Sequence, residues 1–419
     1  MPDLRSAIRR LLGGGAASDD AETAGPRPKR RYLADATEGI ARVRAAGHDR
    51  PMVVATWPFD GDNPFQALLT SRFEESGIVS VRMDRLADLD DPVALPALAG
   101  LHADGVEVVL HLHWLARVLR GVTSETEGRA RVSAFLAALD AFRAAGGRIA
   151  WTVHNVLPHE TKFPTLDLEL RKAVIERADL VHVLSAGTVA AAAPLYEIPA
   201  SKVLHIPHPA YLGVYPNEVS DTDARRRYGL EADDVVFGFV GNLRPYKGLD
   251  DLLDAFESIA ASPPDGRRRR LLIAGMPAAD PSIDALLERA RAHSDIVVDA
   301  RRIPAEELSI PLRASDVVVL PYRSSLNSGA LLLALSFGRP VIAAASPHVT
   351  ETVGPDASTT FDSNDPGALV AALRDADRLR TSEARTAALA TAQRFDPADV
   401  SRRFATALRE RLTDASSSA

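Results

Sequence analysis

"DVVFGFVGNLRPYKGLDDLLDAF", Asp234–Phe256, is the stretch from which the fold is read. Val235–Val240 is a short apolar run rich in β-branched and aromatic residues, the composition of a strand buried on both faces. Gly241 closes the run, and from Leu249 the apolar residues Leu249, Leu252, Leu253 and Phe256 recur at helical spacing. A strand that passes through a short loop into a helix is the opening of a βαβ unit, whose next strand returns parallel to the first.

Working outward from this stretch, the alternation repeats on both sides. Downstream, "LLIAG" (271–275), "DIVVDA" (295–300), "SDVVVLPY" (315–322) and "PVIAAA" (340–345) read as strands. Helices are expected at Ile283–His293, Ala305–Ala314 and Leu326–Phe337 between them. Upstream, strands are expected at 51–57, 78–83, 106–114, 148–155, 179–185 and 202–208, with helices at Pro64–Ser76, Glu125–Ala145 and Leu166–Arg177. "HPAYLGVYPNEVSD" (208–221) interrupts the alternation with Pro and Gly and reads as a linker. "DPADVSRRFATALRERL" (396–412) reads as one amphipathic helix, with Asp396 placed to cap it. "RRRR" (267–270) reads as a solvated turn before a strand, and residues 1–34 as a tail. The expected fold class is α/β, two doubly wound domains in tandem.

Bulk composition narrows the function classes. The chain has 419 residues, a length that argues for two domains. Its net charge of -7 disfavours a nucleic-acid binder, and the absence of Cys excludes disulfides and thiolate-bound metals. No apolar run reaches the roughly 20 residues of a membrane span. The N-terminus carries no signal-peptide core, because Arg5, Arg9 and Arg10 break its apolar residues. A cytoplasmic protein is expected. The basic amphipathic N-terminus and Arg27, Lys29, Arg30 and Arg31 read either as a solvated tail or as a weak contact to anionic lipid.

Open parallel sheets bind ligands beyond the carboxyl ends of their strands, so chemistry is sought in the loops that follow strands. With two such domains, the ligand is expected in the cleft between them. In "FVGNLRPYKG" (239–248), Arg244 and Lys247 sit beside Gly241, which permits close backbone approach. Such a loop suits a diphosphate, though it also reads as a surface turn with two solvated cations. In "SSLNSGALLLALSFGRP" (324–340), Ser324, Ser325, Asn327, Ser328 and Gly329 open the most apolar helix of the chain. Free N–H groups there make an anion site, although one such residue would suffice as a cap.

Three more strand ends carry candidates. "WTVHNVLPHETKFP" (151–164) offers His154 and Asn155, then His159 and Glu160; a His near a reacting hydroxyl can take a proton. "ATWPFDGDNPFQALL" (55–69) offers Asp60 and Asp62 as bases, or simply a loop in which Asn63 caps a helix. "LHLHWLAR" (110–117) alternates His111 and His113 on a strand and ends it with His113 and Trp114; these read either as core packing or as a strand end where Trp stacks on a sugar face. The DxD patterns at 60–62 and 88–90 are too short to imply a metal, and neither a G-x-G-x-x-G nor a P-loop pattern occurs.

These motifs resemble those of GT-B glycosyltransferases, and "GNLRPYKGLDDLLDAF" looks like the donor-phosphate segment of glycosyltransferase family 4 and its relatives. "RRIPAEELSIPLRASDVVVLPY" (301–322) and "GRPVIAA" (338–344) follow the same C-terminal pattern. The resemblance implies two Rossmann-like domains and a nucleotide-sugar donor held by Arg244 and Lys247. It implies an acceptor-binding domain at 35–210, a donor-binding domain at 211–395, and a C-terminal helix and tail at 396–419 that closes back on the first domain. The group usually has two glutamates eight positions apart; here those positions are Ser325 and Leu333. The second glutamate normally holds the ribose, so donor binding falls to N–H groups and to Ser324, Ser325, Asn327 and Ser328. "SLNSGALLLALSFGRPVI" and "HNVLPHE" are similar instead to a subgroup with bacterial GDP-mannose-dependent β-mannosyltransferases of polysaccharide assembly. Glu351, in "HVTETVG" (348–354), falls where relatives carry an acidic residue after the next strand, and is a candidate for contact with the donor.

The resemblance thus implies transfer of a hexosyl group, mannose favoured, to a glycolipid or polysaccharide acceptor. It implies no metal or cofactor, with His154 first and Asp60 or Asp62 next as the base. Contact with the inner membrane face through the basic N-terminus fits such an acceptor. The alternatives are another GT-B enzyme, an epimerase or phosphorylase, or a non-catalytic sugar-nucleotide binder.

Overall fold

The structure, a computed structural model, describes residues 31–84, 94–158, 161–261 and 266–413. The chain forms two compact units, one of residues 1–209 with 397–419 and the other of residues 210–396.

The first unit is built on a six-stranded parallel sheet, in spatial order β2-β1-β3-β4-β5-β6. Its strands are β1 (Met52–Trp57), β2 (Ile78–Arg82), β3 (Glu107–Leu112), β4 (Arg148–Val153), β5 (Leu180–Val183) and β6 (Val203–His205). β1 is buried along its whole length, as a strand covered on both faces must be. The helix Pro397–Thr413 belongs to this unit. Val400, Phe404 and Leu408 recur every fourth residue and pack with Phe65, Phe73 and Ile78 in one core.

The second unit has its own six-stranded parallel sheet, in order β12-β11-β10-β7-β8-β9. Its strands are β7 (Val235–Val240), β8 (Arg269–Ala274), β9 (Ile296–Asp299), β10 (Val317–Leu320), β11 (Val341–Ala344) and β12 (Ser358–Phe361). The helix Leu249–Ala260 buries Leu249, Leu252, Leu253, Phe256 and Ile259 against the sheet. The segment at 208–221 is docked on the second unit from Ala210 onward. The Ala210 N–H donates to the Phe395 carbonyl and the Tyr211 N–H to Ser336 Oγ.

Several expectations are corrected. The helix at Pro64–Ser76 is instead a short helix, Phe65–Leu69, and a separate 3₁₀ turn, Phe73–Ser76. Thr70 and Ser71 between them turn their hydroxyls back onto the Gln66 and Leu68 carbonyls, competing with helix continuation. The arginine run is not a solvated turn. Arg269 and Arg270 lie inside β8 and are buried. Carboxylates compensate them: Asp377 at 3.5 Å from Arg269 and Asp234 at 3.9 Å from Arg270, while Arg268 at the strand edge holds Asp295. Residues 31–34, expected to belong to a tail, are instead part of a helix, Arg31–Ala45, with Tyr32, Ala36, Ile40 and Val43 buried. The basic segment before Arg31 lies outside the described residues.

Candidate functional site

In each unit the topology marks one crevice. Chain order runs from β7 to β8 and β9 on one side, then returns to place β10, β11 and β12 on the other. The loops leaving β7 and β10 therefore diverge, and the gap beyond their carboxyl ends is where such sheets bind ligands. In the first unit the same reversal falls between β1 and β3.

In the second unit the β7 and β10 loops are fastened together. Gly248 has a φ of 66°, and a Cβ there would stand 2.1 Å from the Pro321 carbonyl oxygen. Only Gly lets the lysine loop lie this close to the end of β10. The Arg323 N–H donates to the Tyr246 carbonyl, and the Arg323 guanidinium grips Asp250 and Asp251 at 2.6 and 2.8 Å. The start of the helix Leu249–Ala260 is thus neutralised by its own acids and Arg323, and the anion-attracting charge lies elsewhere.

That charge is Lys247 with Arg244. Lys247 is half-buried; its ammonium lies 5.1 Å from the centre of the Tyr322 ring and 3.5 Å from where a Gly241 side chain would begin. Burial, and next the neighbouring Arg244, push the ammonium down to about 8. The loop after β10 leads into the helix Gly329–Ser336, which is capped by Ser328, whose buried hydroxyl accepts from the Leu331 N–H at 3.2 Å. The N–H groups of Gly329 and Ala330, in the first turn, have no intrahelical acceptor. Ser325 Oγ donates to the Asn327 carbonyl at 2.8 Å, which fixes the loop and engages that hydroxyl proton. Ser324 is exposed, and Leu333 is a half-buried residue of the same helix. Glu351 is exposed on the short helix Pro347–Thr352 after β11, the strand beside β10. The loops can hold an anion between a partly desolvated ammonium and a helix start.

In the first unit, β3 and β4 bring His113, Trp114 and His154 together. His113 Nδ1 and His154 Nε2 are 2.9 Å apart, one donating to the other, and Trp114 stacks on the His154 ring at 4.5 Å and 21°. The Trp151 indole N–H donates to the His113 carbonyl at 3.2 Å. Burial, then the charge that neighbouring imidazoles would carry, hold both His113 and His154 well below the usual histidine range. His154 is therefore neutral at pH 7 and a weak proton acceptor. Asp60, in the loop that follows β1, lines a cavity of 410 Å³ together with Pro58 and Trp114. One of its oxygens accepts from the Asp62 N–H at 3.1 Å. Asp62 is exposed and does not line this cavity. Asn155 is half-buried at the end of β4, and His159 lies outside the described residues. The sequence reading missed Arg117, Arg120 and Lys162, which also line the cavity.

Behind this site runs a buried chain of polar contacts. His182 Nε2 donates to the Ile206 carbonyl at 2.8 Å, so its Nδ1 accepts from Thr152 Oγ1 at 2.9 Å. The Thr152 oxygen in turn accepts from His111 Nε2 at 2.7 Å. His111 is thus a core residue. Burial pushes His182 down to about 4, and burial followed by His182 holds His111 well below its usual value. The folded state keeps these rings neutral while an unfolded chain protonates them below about 6.5. Their contribution is complete above that pH and is lost as pH falls below it, for His182 between about 6.5 and about 4. The slope is at most ~1.4 kcal/mol per pH unit for each ring. Urea midpoints should therefore fall on acidification across that window; a pH-independent midpoint contradicts the neutral assignment.

Among the described residues, no group of three or more His, Asp or Glu is gathered as a metal ion would require. No helix among them is long and apolar enough to cross a membrane.

Two doubly wound α/β units, one with a cationic loop after β7 and a helix start after β10, define a class of protein that binds ligands at strand ends. Comparison with known proteins makes this specific. The family described as "Glycosyl transferases group 1" matches residues 234–376. A GDP-mannose:glycolipid 4-beta-D-mannosyltransferase of Xanthomonas campestris pv. campestris is 30% identical over 272 residues, covering 64% of this chain and 70% of that protein. A D-inositol 3-phosphate glycosyltransferase of Thermobispora bispora is 28% identical over 285 residues, covering 65% of this chain and 63% of that protein. In fold, the chain is similar to sucrose-phosphate synthase from Thermosynechococcus elongatus (TM-score 0.59, 17% identity, 86% of this chain and 99% of that one). It is also similar to Anabaena HepE in complex with UDP and glucose (TM-score 0.59, 18% identity, 92% of this chain and 96% of that one). The chain belongs to the group 1 glycosyltransferases and has the GT-B fold.

Proposed function

We propose that the protein transfers a mannosyl group from GDP-mannose to a saccharide acceptor carried on a lipid, with inversion at the anomeric carbon. The observation that carries this reading is a half-buried Lys247 in the β7 loop, which is fastened through Gly248 and Arg323 to the β10 loop that leads into the helix start at Ser328–Gly329. The relationship to the glycolipid mannosyltransferase supports the choice of donor and acceptor.

The second unit holds the donor. Arg244, Lys247 and the N–H groups at Gly329 and Ala330 take the diphosphate, with Ser328 and Asn327 shaping the loop and Gly241 admitting the backbone approach. Glu351 contacts the donor beside them. The first unit holds the acceptor, with Trp114 covering a sugar face and His113 and Asn155 at the strand ends around it. In the step itself the acceptor oxygen bonds to the anomeric carbon as the bond from that carbon to the phosphate oxygen breaks. The hydroxyl proton goes to Asp60, and the electron pair leaves with GDP, whose added negative charge Lys247 and Arg244 stabilise. His154 and Trp114 orient the acceptor. The step uses side chains and N–H groups and calls for no metal ion. The basic N-terminal segment holds the enzyme at an anionic membrane face, where a lipid-borne acceptor lies.

A thermal-shift screen of the full chain with GDP, UDP, TDP and ADP tests the donor assignment. GDP should raise the melting temperature most, because a ligand of the native state stabilises it by mass action. Equal response to all four, or to none, contradicts it. Affinity for GDP should also fall as pH rises above about 8, where free Lys247 loses its proton, by up to about tenfold per pH unit. GDP binding at higher pH should take up protons, which calorimetry in buffers of different ionisation enthalpy detects. A flat pH dependence removes Lys247 from the contact.

A further inference from the structure

The 410 Å³ cavity beside Asp60 carries charge that donor binding does not use. After β3 the chain turns through successive i to i+3 hydrogen bonds. The Arg117 N–H donates to the Trp114 carbonyl at 3.0 Å and the Arg120 N–H to the Arg117 carbonyl at 3.3 Å. In such a winding, residues three apart eclipse one another. Trp114, Arg117 and Arg120 are therefore stacked on one face, and all three line the cavity. Lys162 adds a third cation to the lining.

None of Arg117, Arg120 and Lys162 has a carboxylate partner among the described residues. The arginines nearby are different: Arg129 holds Glu125 and Glu169, Arg131 holds Glu127, and Arg171 holds Asp167. Asp167 is on the same wall, but Arg171 at 3.0 Å and the Thr161 hydroxyl already engage it. The wall thus presents unneutralised cations to a space with an aromatic face at one side and Asp60 at the edge. Guanidinium groups in a row match the oxygens of a phosphate.

We propose that this cavity is an anion subsite for the acceptor, in which Arg117, Arg120 and Lys162 hold a phosphate or diphosphate carried by the acceptor saccharide. The proposal rests on the glycosyltransferase reading above. The anion fixes one end of the acceptor, Trp114 covers a sugar face, and Asp60 meets the hydroxyl to be glycosylated. The phosphate belongs to a lipid-linked sugar diphosphate or to a soluble sugar phosphate, and the two are separable by experiment.

Three probes serve: methyl α-glucoside, glucose 1-phosphate, and glucose linked through a diphosphate to a short prenyl chain. Calorimetry on the full wild-type chain should show both phosphorylated probes binding at least about tenfold more tightly than the methyl glycoside, the scale of a charge-assisted contact. Tighter binding of the prenyl diphosphate than of glucose 1-phosphate assigns the lipid-linked source; equal binding assigns the soluble one. In the doubly substituted Arg117→Gln, Arg120→Gln chain the advantage of phosphate should vanish while GDP affinity and melting temperature are kept. Lys247→Ala should do the reverse. Equal or no binding of the three probes by the wild type overturns the proposal. So does an advantage of phosphate that survives Arg117→Gln, Arg120→Gln but is lost in Lys247→Ala. Failure of the wild type to bind GDP instead strikes the donor reading, since the comparison among the three probes does not involve it.

Discussion

Lys247→Ala should lower turnover by about 10²-fold or more, the scale for losing a positioned group that stabilises transition-state charge. The ammonium lies beside Gly241 and over the Tyr322 ring, in a half-buried position where water screens it little. Burial, and next the Arg244 charge, push the ammonium down to about 8 and make its charge costly to hold. In the proposed mechanism a departing diphosphate supplies an opposite charge, most strongly when its own negative charge is greatest. Lys247→Arg should recover little, because a planar guanidinium is larger than the space beside Gly241. An unchanged melting temperature in Lys247→Ala separates the loss from misfolding. Near-normal turnover contradicts the diphosphate site.

Asp60→Asn should cost about 10²- to 10⁴-fold in turnover, the range for a general base, with GDP affinity unchanged. The amide oxygen can still accept the Asp62 N–H, so the loop keeps its shape, but an amide takes no proton. His154→Gln should cost less. His154 Nε2 is hydrogen-bonded to His113 Nδ1, its ring stacks on Trp114, and it is held well below the usual histidine range. If His154→Gln proves the more damaging change, the proton goes to the imidazole after all.

Much of the fold is legible in the sequence. The strands of the second unit are apolar β-branched runs bounded by turn residues, and the helix after β7 shows its buried face in its spacing. The missed elements lack those signals. β12, Ser358–Phe361, is a polar edge strand, and its pairing with β11 decides its state. Arg269 and Arg270 argue for exposure when read alone; partners at Asp377 and Asp234 make burial tolerable. The break at Thr70 and Ser71 depends on hydroxyls that can cap or back-bond equally well in a linear reading.

The candidate site divides the same way. Lys247 and Ser328 are visible because strand-end loops can be found from the strands. His154 is visible as a strand-end residue, but its contact with His113, 41 positions away, is not. That contact and burial hold the ring neutral, which is why the proposed mechanism gives the proton to Asp60. Trp114, Arg117 and Arg120 had a usable signal, an aromatic and two cations at intervals of three. It becomes informative only once the segment is known to wind three residues per turn.

The most direct test is incubation of the full-length protein with labelled GDP-mannose and polyprenyl-linked saccharide acceptors. Release of GDP should equal the label appearing in acceptor, and neither should occur without the acceptor at a comparable rate. Donor that binds but is never turned over, or that emerges as a different sugar nucleotide, contradicts transfer as the activity of this chain.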